Sequence, residues 1–349
     1  MPQPNLDPQH STSPHAPHEE NPIATEESFA TLSSGGTPQK SLKNPILGIG
    51  FLAISVLGVI GLISAALPTN TPPQTQAAAV STPEKNAFSG IELEATSAVV
   101  FDVRSGTELF TKNATAQLPL ASITKIALVL VVAEVLDPET YITISEGAVQ
   151  RGGGGLTWGE EWKVRDLIDF TLITSSNTGA EALAEAAEPL LAQKYKEGSQ
   201  KNATVWRMNA LAQSIGMNET YFINATGLDE STTQAGAQSS ARDIAALFDY
   251  ALRISPELFS GTIRDSAVLA PDNFPERSVY NTNNALADIP GILMGKTGTT
   301  DLAGGNLAIA FNAADSHPVV VVVLGSSSDG RFSDVKKLVD AARKVSISN

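Results

Sequence analysis

The chain has 349 residues, with 37 Asp and Glu against 23 Lys and Arg and a net charge of −14, so it lacks the basic footprint that a nucleic-acid partner requires. Cysteine is absent, which excludes disulfides and metal–thiolate sites. Of the 4 histidines, His10, His15 and His18 stand near the N-terminus and only His317 stands elsewhere, so a histidine-activated nucleophile or a multi-histidine zinc site has almost nothing to draw on.

Residues 1–44 are rich in Pro, Ser, Thr, His and Glu; they cannot bury enough apolar surface to offset ordering entropy, and a disordered tail is expected. Residues 45–67, "PILGIGFLAISVLGVIGLISAAL", carry no charge. As a helix they would be about 34 Å long, enough to cross a hydrocarbon core of roughly 30 Å. The alternative is a cleaved signal peptide, for which "TQAAAV" at 75–80 offers small residues; its apolar stretch would be shorter and its leader less extended. Lys40 and Lys43 precede the span and no Lys or Arg follows before Lys85. The expected topology is single-pass at the cell membrane, with a cytoplasmic N-terminus and an extracytoplasmic remainder. Residues 68–89 form a Pro/Thr-rich tether, and residues 90–349 are assigned to one folded domain.

Within that domain, 96–113 has the pattern of a hairpin closed by Arg-Ser-Gly. An apolar helix starts near Ser122 and runs to about Leu136. "RGGGGLTWGEEW", 151–162, is expected to be a loop. Apolar positions 164, 167, 168, 170, 172 and 173 form a helical stripe that stops at Ser-Ser-Asn, and further helices are expected over 178–193, 204–215 and 239–253. Beyond about residue 265 the period shortens: "SAVLA", "GILMGKTG", "NLAIAFN" and "HPVVVVVLGS" are β runs, and "SDVKKLVDAARKV" is a closing amphipathic helix. The expected class is α+β, an antiparallel sheet of early and late strands flanked by helices, with a mostly helical second lobe and a cleft between them.

Ser122 and Lys125, at i and i+3, stack on one helix face at the helix start, where free N–H groups and the dipole favour developing negative charge. A capping serine beside a snorkelling lysine fits the same spacing. Ser333-Asp334-Val335-Lys336 repeats the pattern and is assigned to a solvated face. Ser175-Ser176-Asn177 and Lys296-Thr297-Gly298 are each unremarkable alone, as a helix end and a strand edge. In this order, however, the three form the Ser-x-x-Lys, Ser-x-Asn, Lys-Thr-Gly set of penicillin-interacting serine enzymes.

Residues 90–346 resemble the D-alanyl-D-alanine carboxypeptidases, the low-molecular-weight penicillin-binding proteins. The likeness extends to "AVVFDVRSGTELFTKN", "GGGGLTWGEEWKVRDLIDFTLITSSN", "MNALAQSIGMNETYFINATGL", "YNTN" and "KTGTTDLAGGNLAIAF". It departs at Thr178, where the family usually has Asp, and at Met294, where Gly is common. The resemblance implies a β-lactamase/DD-peptidase-like fold and a serine peptidase that uses neither cofactor nor metal. Ser122 would be the nucleophile, Lys125 its base and Ser175 a proton relay. Asn177 would hold the substrate amide, the N–H groups of Ser122 and Thr299 would form an oxyanion hole beside Gly298, and Thr297 with Arg331 would bind the terminal carboxylate. Lys125 would need its proton affinity lowered by burial and by the like charge of Lys296; three pKa units correspond to about 4 kcal/mol. The implied partners are a peptidoglycan stem peptide ending in D-Ala-D-Ala and, as inhibitors, β-lactam antibiotics, with the membrane engaged through the N-terminal helix. A β-lactamase, a DD-endopeptidase or a catalytically idle wall-binding or antibiotic-sensing module remain alternatives. No Glu-x-x-Leu-Asn loop of the class A β-lactamase type follows the second motif.

Overall fold

The computed structural model describes residues 87–197 and 202–348. The tail, the 45–67 span and most of the tether therefore lie outside the described residues, and among those described no helix is long and apolar enough to cross a membrane. The core begins inside the stretch assigned to the tether, where Phe88 is buried and stacks on Phe110 with ring centroids 5.5 Å apart.

Strands β1 (Ser97–Asp102) and β2 (Thr107–Lys112) form the expected hairpin. Asp102 Oδ1 accepts from the N–H groups of Arg104 and Ser105, and Gly106 closes the turn at φ 68°. After the short β3 (Leu118–Pro119), a 3₁₀ turn at Ala121–Thr124 feeds helix α1 (Lys125–Val132). All eight residues of α1 are buried, as a helix apolar all round must be. It ends four residues earlier than the apolar run suggests: the chain leaves through turns in which the Glu134 and Val135 N–H groups bond Val131 O and Val132 O.

The expected 151–162 loop is shorter than its sequence implies. Helix α2 (Glu146–Gly152), capped by Ser145 Oγ accepting from Ala148 N–H, takes its first two residues. The hairpin of β4 (Tyr141–Thr143) and β5 (Glu161–Lys163) takes its last two. Helices α3 (Val164–Ile173), α4 (Asn177–Lys194), α5 (Ala203–Ser214) and, after β6 (Tyr221–Phe222) and β7 (Ala237–Ser239), α6 (Ala241–Ile254) fall within two residues of their expected bounds. A second 3₁₀ segment, Pro256–Ile263, leads to β8 (Ser266–Leu269) and β9 (Arg277–Tyr280), which pair only with each other.

Strands β10 (Ile292–Thr300), β11 (Gly304–Asn312) and β12 (Pro318–Ser326) join the opening hairpin in one antiparallel sheet of order β10-β11-β12-β1-β2. Helix α7 (Gly330–Ser348) closes the chain. Both faces of the sheet are covered, which explains the uninterrupted valines of β12. Val320 and Val322 point into the core shared with the helical lobe, whereas Val319, Val321 and Val323 point into the core under α7. Each fully buried Val contributes about 1.5–3 kcal/mol. This fixes the sheet as a rigid wall, and its edge strand β10 faces the 3₁₀ turn that carries Ser122.

Candidate active site

Ser122 is held from three sides. Asn306, itself buried on β11, donates from Nδ2 to Pro119 O and Leu120 O at 2.9 and 3.0 Å, pinning the chain before the turn. Thr124 Oγ1 donates to Ala121 O at 2.7 Å. Ala121 sits at φ 50°, a left-handed conformation unusual for a residue with a side chain and of the kind that rigid surroundings impose at functional sites. Two glycines allow the close approach. A Cβ at Gly227 would lie 2.0 Å from Ala121 O, and one at Gly298 would lie 2.7 Å from Leu120 O and 3.2 Å from Ser122 N. The missing side chain at Gly298 thereby lets β10 pass close to the Ser122 N–H.

Lys125 is completely buried, and its Nζ lies 2.8 Å from each of Ser122 Oγ, Asn177 Oδ1 and Thr226 O. The last two atoms can only accept. A neutral amine has two N–H bonds and one lone pair; donating to both acceptors leaves the lone pair directed at the Ser122 hydroxyl. Burial, and secondly the charge of Lys296, hold the Lys125 amine well below the ordinary lysine value, while Glu181 opposes the shift. Both expected causes of the shift are present, with burial the larger.

Ser175 ends the turn after α3 at φ 60°, and Ser176 Oγ caps α4 by accepting from Gly179 N–H at 3.0 Å. Lys296 Nζ donates to Ser175 Oγ at 2.9 Å and to Thr297 O at 3.0 Å. Burial, with Arg331 beside it, pulls the Lys296 amine down to about 7. The expectation that Ser175 lies between the two lysines is realised on one side only: it meets Lys296, whereas Lys125 meets Asn177. Asn177 Oδ1 is occupied by Lys125, so its amide N–H groups are what it can offer a substrate.

The third motif lies along β10. Thr297 Oγ1 shares a 2.6 Å hydrogen bond with Thr282 Oγ1, and Arg331, from the start of α7, donates through Nη1 to Gly298 O at 2.8 Å and to Thr299 Oγ1. Arg331 is not a solvated helix-start charge: burial lowers its proton affinity, and its Nε is buried without a partner. Serines 122 and 175, Asn177, both lysines, Thr297–Thr299 and Arg331 therefore line one site.

Sequence reading assigned no role to Thr226, Asn224, Asn306 or Thr282. Asn224 Oδ1 accepts from Thr226 N–H, Thr226 Oγ1 and Gly227 N–H, folding the loop that presents Thr226 O to Lys125. The segment "INATGL" was the available signal for that loop. The departure at Thr178 is accommodated: its buried hydroxyl donates to Gly154 O at 2.5 Å, tying the glycine-rich loop to the start of α4. Met294 is buried in the core. His317 bonds Asp102 at 3.0 Å, at the end of β12 away from the site.

A serine beside two buried lysines is the set of groups that a serine–lysine acyl-transfer centre would require. The family profile described as D-alanyl-D-alanine carboxypeptidase matches residues 79–328, and the chain belongs to that family. It is 32% identical over 257 residues to the D-alanyl-D-alanine carboxypeptidase DacF of Bacillus subtilis, covering 71% of this chain and 62% of the relative's length. It is also 32% identical over 259 residues to a D-alanyl-D-alanine endopeptidase of Pseudomonas aeruginosa, covering 72% of this chain and 76% of that protein. Penicillin-binding protein D2 of Listeria monocytogenes, solved with ampicillin bound, superposes with a TM-score of 0.61 at 26% identity over 72% of this chain and 98% of that chain. The expected mixed α+β, DD-peptidase-like fold is the one observed.

Proposed function

We propose that the protein is a serine D-alanyl-D-alanine carboxypeptidase that removes the terminal D-alanine of peptidoglycan stem peptides through an acyl-enzyme on Ser122, and that β-lactams acylate the same serine. The observation that carries this reading is the buried Lys125 amine, whose Nζ lies 2.8 Å from Ser122 Oγ, Asn177 Oδ1 and Thr226 O; in its neutral form, donating to the two acceptors, it has its lone pair left for the Ser122 hydroxyl. Lys125 takes the hydroxyl proton as Ser122 attacks the penultimate carbonyl. The N–H groups of Ser122 and Thr299 receive the oxyanion. Ser175, hydrogen-bonded to Lys296, passes a proton to the departing D-alanine amine. The proton held by Lys125 replaces the one Ser175 gave up, which leaves Lys125 neutral. Water then attacks the ester, and Lys125 accepts its proton and returns it to Ser122 Oγ as the acid product leaves. Asn177 Nδ2 holds the substrate amide, while Lys296, Thr297, Thr299 and Arg331 bind the terminal carboxylate; a planar guanidinium suits that partner.

Release of D-alanine from an acyl-Lys-D-Ala-D-Ala peptide tests the reading. Turnover by the wild type and none by Ser122→Ala is expected, and equal turnover by both would reject it. The Pseudomonas relative favours a second reading on the same centre, cleavage of a cross-link in which the leaving amine belongs to a second peptide. Faster release from a cross-linked dimer peptide than from the linear one would select it. We propose further that residues 45–67 anchor the domain to the cell membrane with the site outside, a reading supported by their uncharged composition and by the Lys40/Lys43 flank. Recovery of the full-length protein in the membrane fraction, accessible to external protease, is the expected result.

A further inference from the structure

A cavity of about 780 Å³ has a wall that includes Thr226, Asp229, Glu181, Glu185 and Arg151. Its wall is one residue removed from the base, since Thr226 O is one of the three partners of the Lys125 amine. Glu181 stands four residues after Asn177 on α4, so the two side chains share one helix face. That face is the one turned toward Lys125, because Asn177 Oδ1 is bonded to it. Glu181 is mostly shielded from water (17% side-chain exposure) and its Oε2 accepts from Arg151 Nε at 2.8 Å. Arg151, at the end of α2, reaches across to Glu185 as well and is itself 52% exposed.

We infer that Glu181 is a positioning residue for charge: it governs how readily Lys125 takes up a proton, and Arg151 holds that influence in check. The inference rests on the reading of Lys125 as the base of the acyl-transfer reaction. Other charges around Lys125 are accounted for. From β10, Lys296 opposes protonation, and Arg331 acts in turn on Lys296. On α4 itself, Glu185 is taken by Arg151 and Ser145, Glu188 by the Ala203 and Thr204 N–H groups, and Lys194 by Glu134. On α5, Arg207 pairs with Glu134. On α6, Arg242 pairs with Glu108, Asp249 with Arg253, and Asp243 accepts from Glu219 N–H and Thr220. Asp229, across the cavity, accepts from Thr300 Oγ1 and Leu302 N–H. Glu181 alone among these acidic groups acts on Lys125 in the direction of protonation. A carboxylate here favours the charged amine, and a guanidinium bonded to that carboxylate cancels part of its field.

The test is the pH dependence of acylation of the full-length protein by benzylpenicillin, followed as the second-order rate constant. Glu181→Gln should move the midpoint of the acid limb down by about half a pH unit or more, and Arg151→Ala should move it up by a comparable amount. The double variant should follow Glu181→Gln, and Arg151→Lys, which keeps the ion pair, should return the midpoint toward wild type. A merely structural link between α2 and α4 would lower the rate in both single variants without moving either midpoint. That result, or shifts of the same sign in both, overturns the inference. A wild type not acylated at any pH overturns both this inference and the reading on which it rests, and so is distinguishable from failure of the inference alone.

Discussion

Two Ser-x-x-Lys segments lie in this chain at identical spacing, and the structure treats them differently. Lys125, at the start of α1, is fully buried with three partners, one of them Ser122, and its amine is held well below the ordinary lysine value. Ser333 and Lys336 lie exposed on α7, and Ser333 Oγ merely donates to Gly330 O. The residue buried there is Asp334, whose carboxylate accepts from the N–H groups of Glu94 and Ala95 and from Ser326 Oγ. Spacing places a serine and a lysine on one helix face; burial and two fixed acceptors are what set the first lysine apart, as the proposed base requires. The second copy instead fastens the stretch before β1 to α7 through Asp334.

The largest expected effect follows from removing the first pair. Ser122→Ala and Lys125→Met should each lower acylation by benzylpenicillin about 10⁴-fold or more, whereas the double change Ser333→Ala/Lys336→Met should leave it within about twofold. Comparable losses at both copies would break the comparison. Ser175→Ala should lower turnover of a D-Ala-D-Ala peptide by about 10²–10⁴-fold, since Lys296 would lose its route to the leaving amine.

Asp334→Ala should act on stability instead, costing about 3 kcal/mol in chemical denaturation, because it leaves two backbone N–H groups unpaired while the folded fraction still acylates. Smaller still is a pH effect on the fold. Lys296 titrates at about 7 in the folded protein, against 10.5 for an unperturbed lysine. Between those values the unfolded chain binds more protons, so stability should rise with pH through that window, by at most about 1.4 kcal/mol per unit from this group, and its contribution should level off below 7. Denaturation midpoints at pH 7 and pH 9 check the sign, with Lys296→Met reducing the difference and the buried Lys125 supplying a remainder of the same sign.

Much of this was legible before the structure, for identifiable reasons. Ser122/Lys125, Ser175/Asn177 and Lys296–Gly298 are local patterns, and the alternation of both-face-buried strands against helical stripes located the sheet and the helices. Helix α2 was missed because seven residues with two glycines carry no apolar period. The helix after Lys125 is shorter than the sequence pattern because the apolar run continues to Leu136 while the chain already leaves the helix through turns after Val132. Thr226, Asn306 and Glu181 were invisible as site components because each reaches the centre through tertiary contact: a loop carbonyl, an amide anchoring the chain before the nucleophile, and a carboxylate one turn beyond Asn177.

The most direct measurement is the intact mass of the full-length protein after exposure to benzylpenicillin, with peptide mapping, for the wild type, Ser122→Ala and Lys125→Met. The account predicts one covalent adduct of a single drug mass on the wild type, mapped to Ser122, none on Ser122→Ala, and formation slowed by orders of magnitude in Lys125→Met. Labelling that survives Ser122→Ala, or that proceeds at the wild-type rate without the Lys125 amine, would contradict it.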